Sequence, residues 1–186
     1  MPESITSIET QAFQGCINLE EINLHDNIIA IGESAFRPSL GNAMKLKLTT
    51  LPAKLTTLGA SAFYGSGSGI ELTSLPSGLT ILGSYTFYNC PNVKIDSFGN
   101  VDNSKAPGIT NIGANCFANA GNGPVGSVTS VTFGSSVKSI GNNAFLNYAT
   151  NSLGEVVFMG LTQEAAETAA SGAGFSEVTI VGSYTG

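Results

Sequence analysis

The sequence predicts an α/β solenoid, a stack of short coils that is mostly strand and loop, with a parallel sheet and one short C-terminal helix. Three observations predict it. A six-residue phrase recurs six times, an aliphatic residue stands three positions before each copy, and a six-residue segment rich in β-formers follows each copy.

The phrase first reads Ile8-Glu-Thr-Gln-Ala12-Phe13, then Ile31-Gly32-Glu-Ser-Ala35-Phe36 and Leu58-Gly59-Ala-Ser-Ala62-Phe63. It returns as Leu82-Gly83-Ser-Tyr-Thr86-Phe87, Ile112-Gly113-Ala-Asn-Cys116-Phe117 and Ile140-Gly141-Asn-Asn-Ala144-Phe145. The flanking aliphatics are Ile5, Ile28, Leu55, Leu79, Ile109 and Val137, and the Phe-to-Phe spacings are 23, 27, 24, 30 and 28 residues. A fixed phrase at periods of 20–50 residues is the signature of stacked supersecondary units. One such unit cannot bury its own apolar side, but stacked copies bury a continuous core. The small residue before each Phe is expected to let coils approach closely, and the glycine to permit a tight or positive-φ turn.

The intervening segments are residues 19–24, 46–51, 70–75, 93–98, 128–133 and 153–158. Each has the length of an ordinary strand, and turn formers such as Pro52, Pro76, Gly99 and Gly134 follow closely. A parallel sheet of about six strands is the expectation. At the C-terminus, residues 162–171 are rich in Ala and Glu, Thr162 is a suitable N-cap, and Gly172 is a stop. Residues 177–181 read as a last strand. The organisation predicted is a single domain over 1–186, with repeats over about 5–160 and a cap over 161–186 that closes the core.

The pattern L-x-x-I-x-I-P-x-x-V-x-x-I-G-x-x-A-F-x-x-C resembles the BspA-like leucine-rich repeat. Residues 19–36, from Leu19, Ile22 and Leu24 to Ala35-Phe36, are similar to it, and so are Val128, Val131, Phe133 and the run to Ala144-Phe145. The resemblance spans about residues 5–158. It implies a curved, right-handed leucine-rich-repeat coil with the parallel sheet on its concave face, and a bacterial or protist surface protein associated with adhesion. Three features depart from it: His25 stands where the pattern has Pro, the loops 99–108 and 118–127 are long, and the chain opens in mid-repeat. The last points to a fragment of a longer array or a trimmed mature chain.

Composition narrows the function. Net charge is −6, with 7 basic and 13 acidic residues, so phosphate backbones would be repelled and nucleic acid is an unsuitable partner. No apolar run approaches the roughly 20 residues that span a bilayer. Charged residues make up 11% of the chain, so the surface must be built from Ser, Thr, Asn and Gly. Cys16, Cys90 and Cys116 form no disulfide framework and no C-x-x-C metal motif. They read as small core residues.

The other motifs read as structure. Residues 121–126 match G-x-G-x-x-G but lack the strand before and helix after that a dinucleotide site needs. Residues 65–69 are Gly-rich but lack the Lys-Ser/Thr end of a phosphate loop. His25 is the only histidine, at a strand-end turn, and hydrolase chemistry needs a base beside its nucleophile. The acids Glu20, Glu21, Asp26 and Glu33 read as a solvated rim, with a weak calcium site as the sharper reading. Neither a catalytic set nor a cofactor is implied.

What remains is the strand face. In the register of the first and fifth segments, its outward residues are Glu20, Glu21, Asn23, Lys47, Leu48, Thr50, Glu71, Leu72, Ser74, Lys94, Ile95, Ser97, Thr129, Ser130 and Thr132. Leu48, Leu72 and Ile95 then form an apolar ladder such as partner sites carry. The alternative is a shifted register or bulge that turns all three inward. Lys47, Glu71 and Lys94 alternate in sign, which favours a neutral partner. The expected function is non-enzymatic binding of a host or cell-surface protein or glycan by a monomeric, extracellular or cell-surface module. The alternative is a structural spacer with no ligand.

Overall fold

A computed structural model describes residues 1–99, 108–123 and 127–183. Over these residues the chain is a parallel β-solenoid of about seven turns with one short α-helix. Its elements are β1 (Ser7–Ile8), β2 (Ala30–Ile31), β3 (Thr57–Leu58), β4 (Ile81–Leu82), β5 (Ser97–Phe98), β6 (Asn111–Ile112), β7 (Ser130–Phe133), β8 (Ser139–Ile140), β9 (Glu155–Met159), α1 (Gln163–Ala173) and β10 (Thr179–Ser183). All strand pairs are parallel.

Three ladders run along the stack. The strand segments supply a four-stranded sheet in the order β10-β9-β7-β5. The aliphatic-glycine phrases supply the second ladder in two three-stranded runs, β1-β2-β3 and β4-β6-β8, where the sequence suggested only turns. The third ladder has no strand geometry. The amide of Phe36 donates to Ala62 O at 2.8 Å, that of Phe63 to Thr86 O at 3.0 Å, and that of Phe87 to Cys116 O at 2.8 Å.

The turn carrying this third ladder needs a left-handed residue two positions before each Phe. Gln11, Ser34, Ser61, Tyr85, Asn115 and Asn143 all have φ between 54° and 61°. The phrase glycine is therefore not the positive-φ residue of the turn. Its role is close approach: a Cβ on Gly32, Gly59, Gly83, Gly113 or Gly141 would lie 2.4–2.6 Å from a backbone nitrogen of the coil before.

Along the axis the phenylalanines stack face to face. Successive centroids from Phe13 through Phe36, Phe63, Phe87, Phe117 and Phe145 are 5.2–5.7 Å apart. Phe175, which follows α1, extends the column at 4.9 Å from Phe145. A second column, Phe98-Phe133-Phe158, meets the first edge-on, with Phe98 at 5.3 Å and 75° from Phe145. All ten phenylalanines thus serve packing.

The cap differs in its bounds from the sequence expectation. Thr162 does cap α1, its Oγ accepting from Ala165 N at 3.3 Å, but the helix passes through Gly172 and ends at Gly174, which holds φ 89°. Ala166, Ala170 and Ala173 are buried against the last coil. β10 lies two residues later than expected and pairs with β9.

Candidate binding face

The six strand segments bury their apolar residues in two patterns. Residues 19–24, 128–133 and 153–158 turn positions one, four and six inward: Leu19, Ile22, Leu24; Val128, Val131, Phe133; Leu153, Val156, Phe158. The three segments between them turn positions one, three and six inward: Leu46, Leu48, Leu51; Ile70, Leu72, Leu75; Val93, Ile95, Phe98. Leu48, Leu72 and Ile95 are therefore core residues and leave the candidate face. The cause is a shift of the bulge. Two consecutive residues face outward at positions two and three in the first pattern, and at positions four and five in the second.

The sheet is shorter than six strands, and at the junction between the fourth and fifth segments its pairing is brief. Ser97 pairs with Thr132 and Phe98 with Phe133, but the next inward residue back is Val131 on β7 and Ile95, not Asp96, on the earlier segment. Pairing across that junction is confined to two residues. The bulge also withdraws the Ile95 carbonyl from the ladder, and the buried Tyr148 hydroxyl donates to it at 2.7 Å. Earlier segments are joined by single bonds, such as Lys47 N to Glu20 O at 2.9 Å and Lys94 N to Leu72 O at 2.7 Å, and by the bridge Leu48–Ile70.

Lys94 also leaves the face. It is only 8% exposed, and its Nζ donates to Gly123 O at 2.7 Å. The other eleven predicted face residues, Glu20, Glu21, Asn23, Lys47, Thr50, Glu71, Ser74, Ser97, Thr129, Ser130 and Thr132, are exposed or half-buried. Sequence reasoning missed Thr49, Thr73 and Asp96, which the shifted bulge turns outward. The signal was present: each is polar at the fourth position, where the repeat pattern has an aliphatic.

This exchange alters the chemistry. With Lys94 withdrawn and Asp96 exposed, the face carries Glu20, Glu21, Glu71, Asp96 and Glu155 against Lys47 and the adjoining Lys45. The expected sign alternation gives way to a predominantly acidic, hydroxyl-rich surface. A shallow depression of about 380 Å³ lies between Glu20, Lys45, Lys47, Met44 and Ser68.

The remaining candidates fall elsewhere. His25 is buried at its ring, with Nε2 bonding Pro2 O at 2.9 Å and Nδ1 4.0 Å from the Glu3 carboxylate, so it ties the N-terminal segment to the first coil. Asp26 accepts from Ala53 N at 2.8 Å and braces the next coil. Among the described residues, no three His, Cys, Asp or Glu side chains gather as a metal site. The G-x-G-x-x-G run lies partly outside the described residues, as does most of the loop 99–108.

The cysteines divide. Cys90 and Cys116 are buried, and desolvation pushes both thiols up to about 12, so neither is a thiolate near neutral pH. Cys90 donates to Phe63 O at 3.1 Å, just as Ser66 donates to Phe36 O one coil earlier. Cys16 occupies the same position in the first coil but is exposed, contrary to the core role expected.

Compared with known proteins, the chain matches the family model described as "BspA type Leucine rich repeat region (6 copies)" over residues 1–95 and 42–183. The chain belongs to the BspA-type leucine-rich repeat family. No curated protein and no solved structure matches it. BspA-type repeats are generally non-enzymatic, are typical of surface proteins and suggest a role in protein interaction. Among the described residues of this BspA-type chain, no helix is long and apolar enough to cross a membrane.

Proposed function

We propose that this chain is a non-enzymatic adhesion module of a secreted or cell-surface protein, and that it binds a host or cell-surface protein or glycan through its strand face. One observation carries the reading. Thr49, Thr50, Thr73, Ser74, Asp96 and Ser97, from three consecutive segments, form a contiguous array of hydroxyls and carboxylate on a backbone tied on both sides. Such a surface loses little side-chain entropy on binding, since Ser, Thr and Asp are short. Its acidic balance favours a partner with basic or hydroxyl-rich groups over the neutral partner expected from sequence.

The test begins with a screen of matrix proteins and glycans against the purified chain. The ligand found is then titrated against the triple variant Thr50→Ala, Glu71→Gln, Asp96→Asn. All three side chains are exposed, so folding is unaffected, and binding should weaken at least tenfold. Unchanged binding would move the site off this face. A chain that retains nothing in the screen would favour a spacer role.

A further inference from the structure

A second surface lies at the turn that follows each Phe, and its features arise from a different part of each coil. Residues 37–45 form a longer connection than the same point of the first, third and fourth coils. In repeat proteins such insertions collect on one face, often the one that binds. Here the insertion is an ordered turn: Asn42 N donates to Ser39 O at 3.1 Å, and Gly41 takes φ 79°. Its tip presents Leu40, which is 98% exposed. Beside it a groove of about 480 Å³ runs past Arg37, Pro38, Tyr64, Asn89 and Pro91. That volume is within the range of ligand-holding clefts.

The charge of this groove is opposite to that of the chain. Arg37 is the only arginine in the sequence and the only charged residue lining the groove, in a protein with 13 acidic residues. It makes no ion pair among the described residues. Its guanidinium is held 4.6 Å above the Tyr64 ring, and the far face of that ring stacks on Tyr88 at 4.9 Å, so the cation is positioned before any ligand arrives. A guanidinium held over a ring, with its N–H fork unpaired among the described residues, matches a carboxylate bidentately.

The rest of the lining selects among anionic partners. Both faces of Tyr64 are covered, by Arg37 and by Tyr88, so a sugar ring cannot stack there. What the groove does offer is the apolar edge of Leu40 and Pro91 and the amide of Asn89, which suit a peptide backbone and an apolar side chain. We propose that this groove binds an extended acidic peptide segment of a partner protein, with Arg37 holding an Asp or Glu carboxylate and Leu40 packing on its neighbour. This site is independent of the strand face.

The probe is an array of nine-residue peptides in which Asp or Glu is flanked by Pro, Leu or Tyr, each printed beside its Asn or Gln twin. The acidic peptides should be retained at least tenfold better than their twins, and that preference should disappear in Arg37→Ala and in Leu40→Asp. Both positions are partly or fully exposed, and circular dichroism checks the fold. The strand-face triple variant should retain the peptides unchanged. Equal retention of the amide twins, or acidic binding indifferent to Arg37→Ala, would overturn the proposal. So would Arg37-dependent binding of hyaluronan oligosaccharides in the absence of any peptide signal, which would assign the groove to an anionic glycan.

Discussion

A Cβ on Gly113 would stand 2.4 Å from the backbone nitrogen of Ser84, one coil before it. That contact is backbone to backbone, so no side chain can swing aside. Gly113→Ala should therefore force the coils apart and cost about 3 kcal/mol or more. Gly172, inside α1 with open space at its Cβ position, provides the contrast: Gly172→Ala should be neutral or stabilise by up to about 1 kcal/mol. Urea denaturation of the two variants checks both. Equal effects would show that close approach does not explain the phrase glycine.

Phe87 is fully buried between Phe63 at 5.7 Å and Phe117 at 5.3 Å. Phe87→Ala leaves a cavity that stacked neighbours cannot fill, and should cost about 3–5 kcal/mol. A loss under about 1 kcal/mol by chemical denaturation would mean the column is not the spine of the core.

Asn119 joins an amide ladder across three coils, donating to Asn89 Oδ1 at 3.0 Å and accepting from Asn147 Nδ2 at 2.8 Å. It also holds φ 59°, a conformation that Asn tolerates better than Ala. Asn119→Gly should lose only the ladder, about 1 kcal/mol for these exposed bonds, while Asn119→Ala should lose the ladder and add about 1 kcal/mol of backbone strain. Thermal melts of the pair separate the two contributions. A glycine variant as unstable as the alanine variant would remove the backbone contribution.

Burial raises the Cys90 and Cys116 thiols from 9.0 to about 12. The folded state then holds protons that the unfolded state releases between those values. The stability contributed is fully present below pH 9 and lost as pH rises toward 12, at up to about 1.4 kcal/mol per pH unit for each thiol. Denaturation midpoints from pH 7 to 11 should fall more steeply for the natural chain than for the double variant Cys90→Ala, Cys116→Ala. In native buffer a thiol reagent should label Cys16 alone.

Much of the fold was legible because a solenoid repeats its chemistry. The Phe column, the small residue before each Phe, the helix cap at Thr162 and the closing strand all follow from residues that recur or from local capping rules. Phe175 was missed as the seventh member of the column because it arrives after a helix, outside the phrase. The glycine's role was misjudged because a turn and a close approach look alike in one dimension; only the neighbouring coil shows that Ser84, and not the glycine's own φ, sets the constraint.

By itself, the sequence determined that the chain is a stack of coils and which six phenylalanines form most of the core spine, since each apolar position is repeated at the coil period. Tertiary structure decided between the two bulge positions in the middle segments. Leu46-Lys47-Leu48-Thr49-Thr50-Leu51 carries a signal, its polar fourth position, but the repeat register read on the first and fifth segments runs against it. The choice was made by the core, where burying Leu48, Leu72 and Ile95 removes three large apolar side chains from water while Thr49, Thr73 and Asp96 remain solvated. Tyr148, more than fifty residues from Ile95 in the chain, satisfies the carbonyl that this choice leaves out of the ladder.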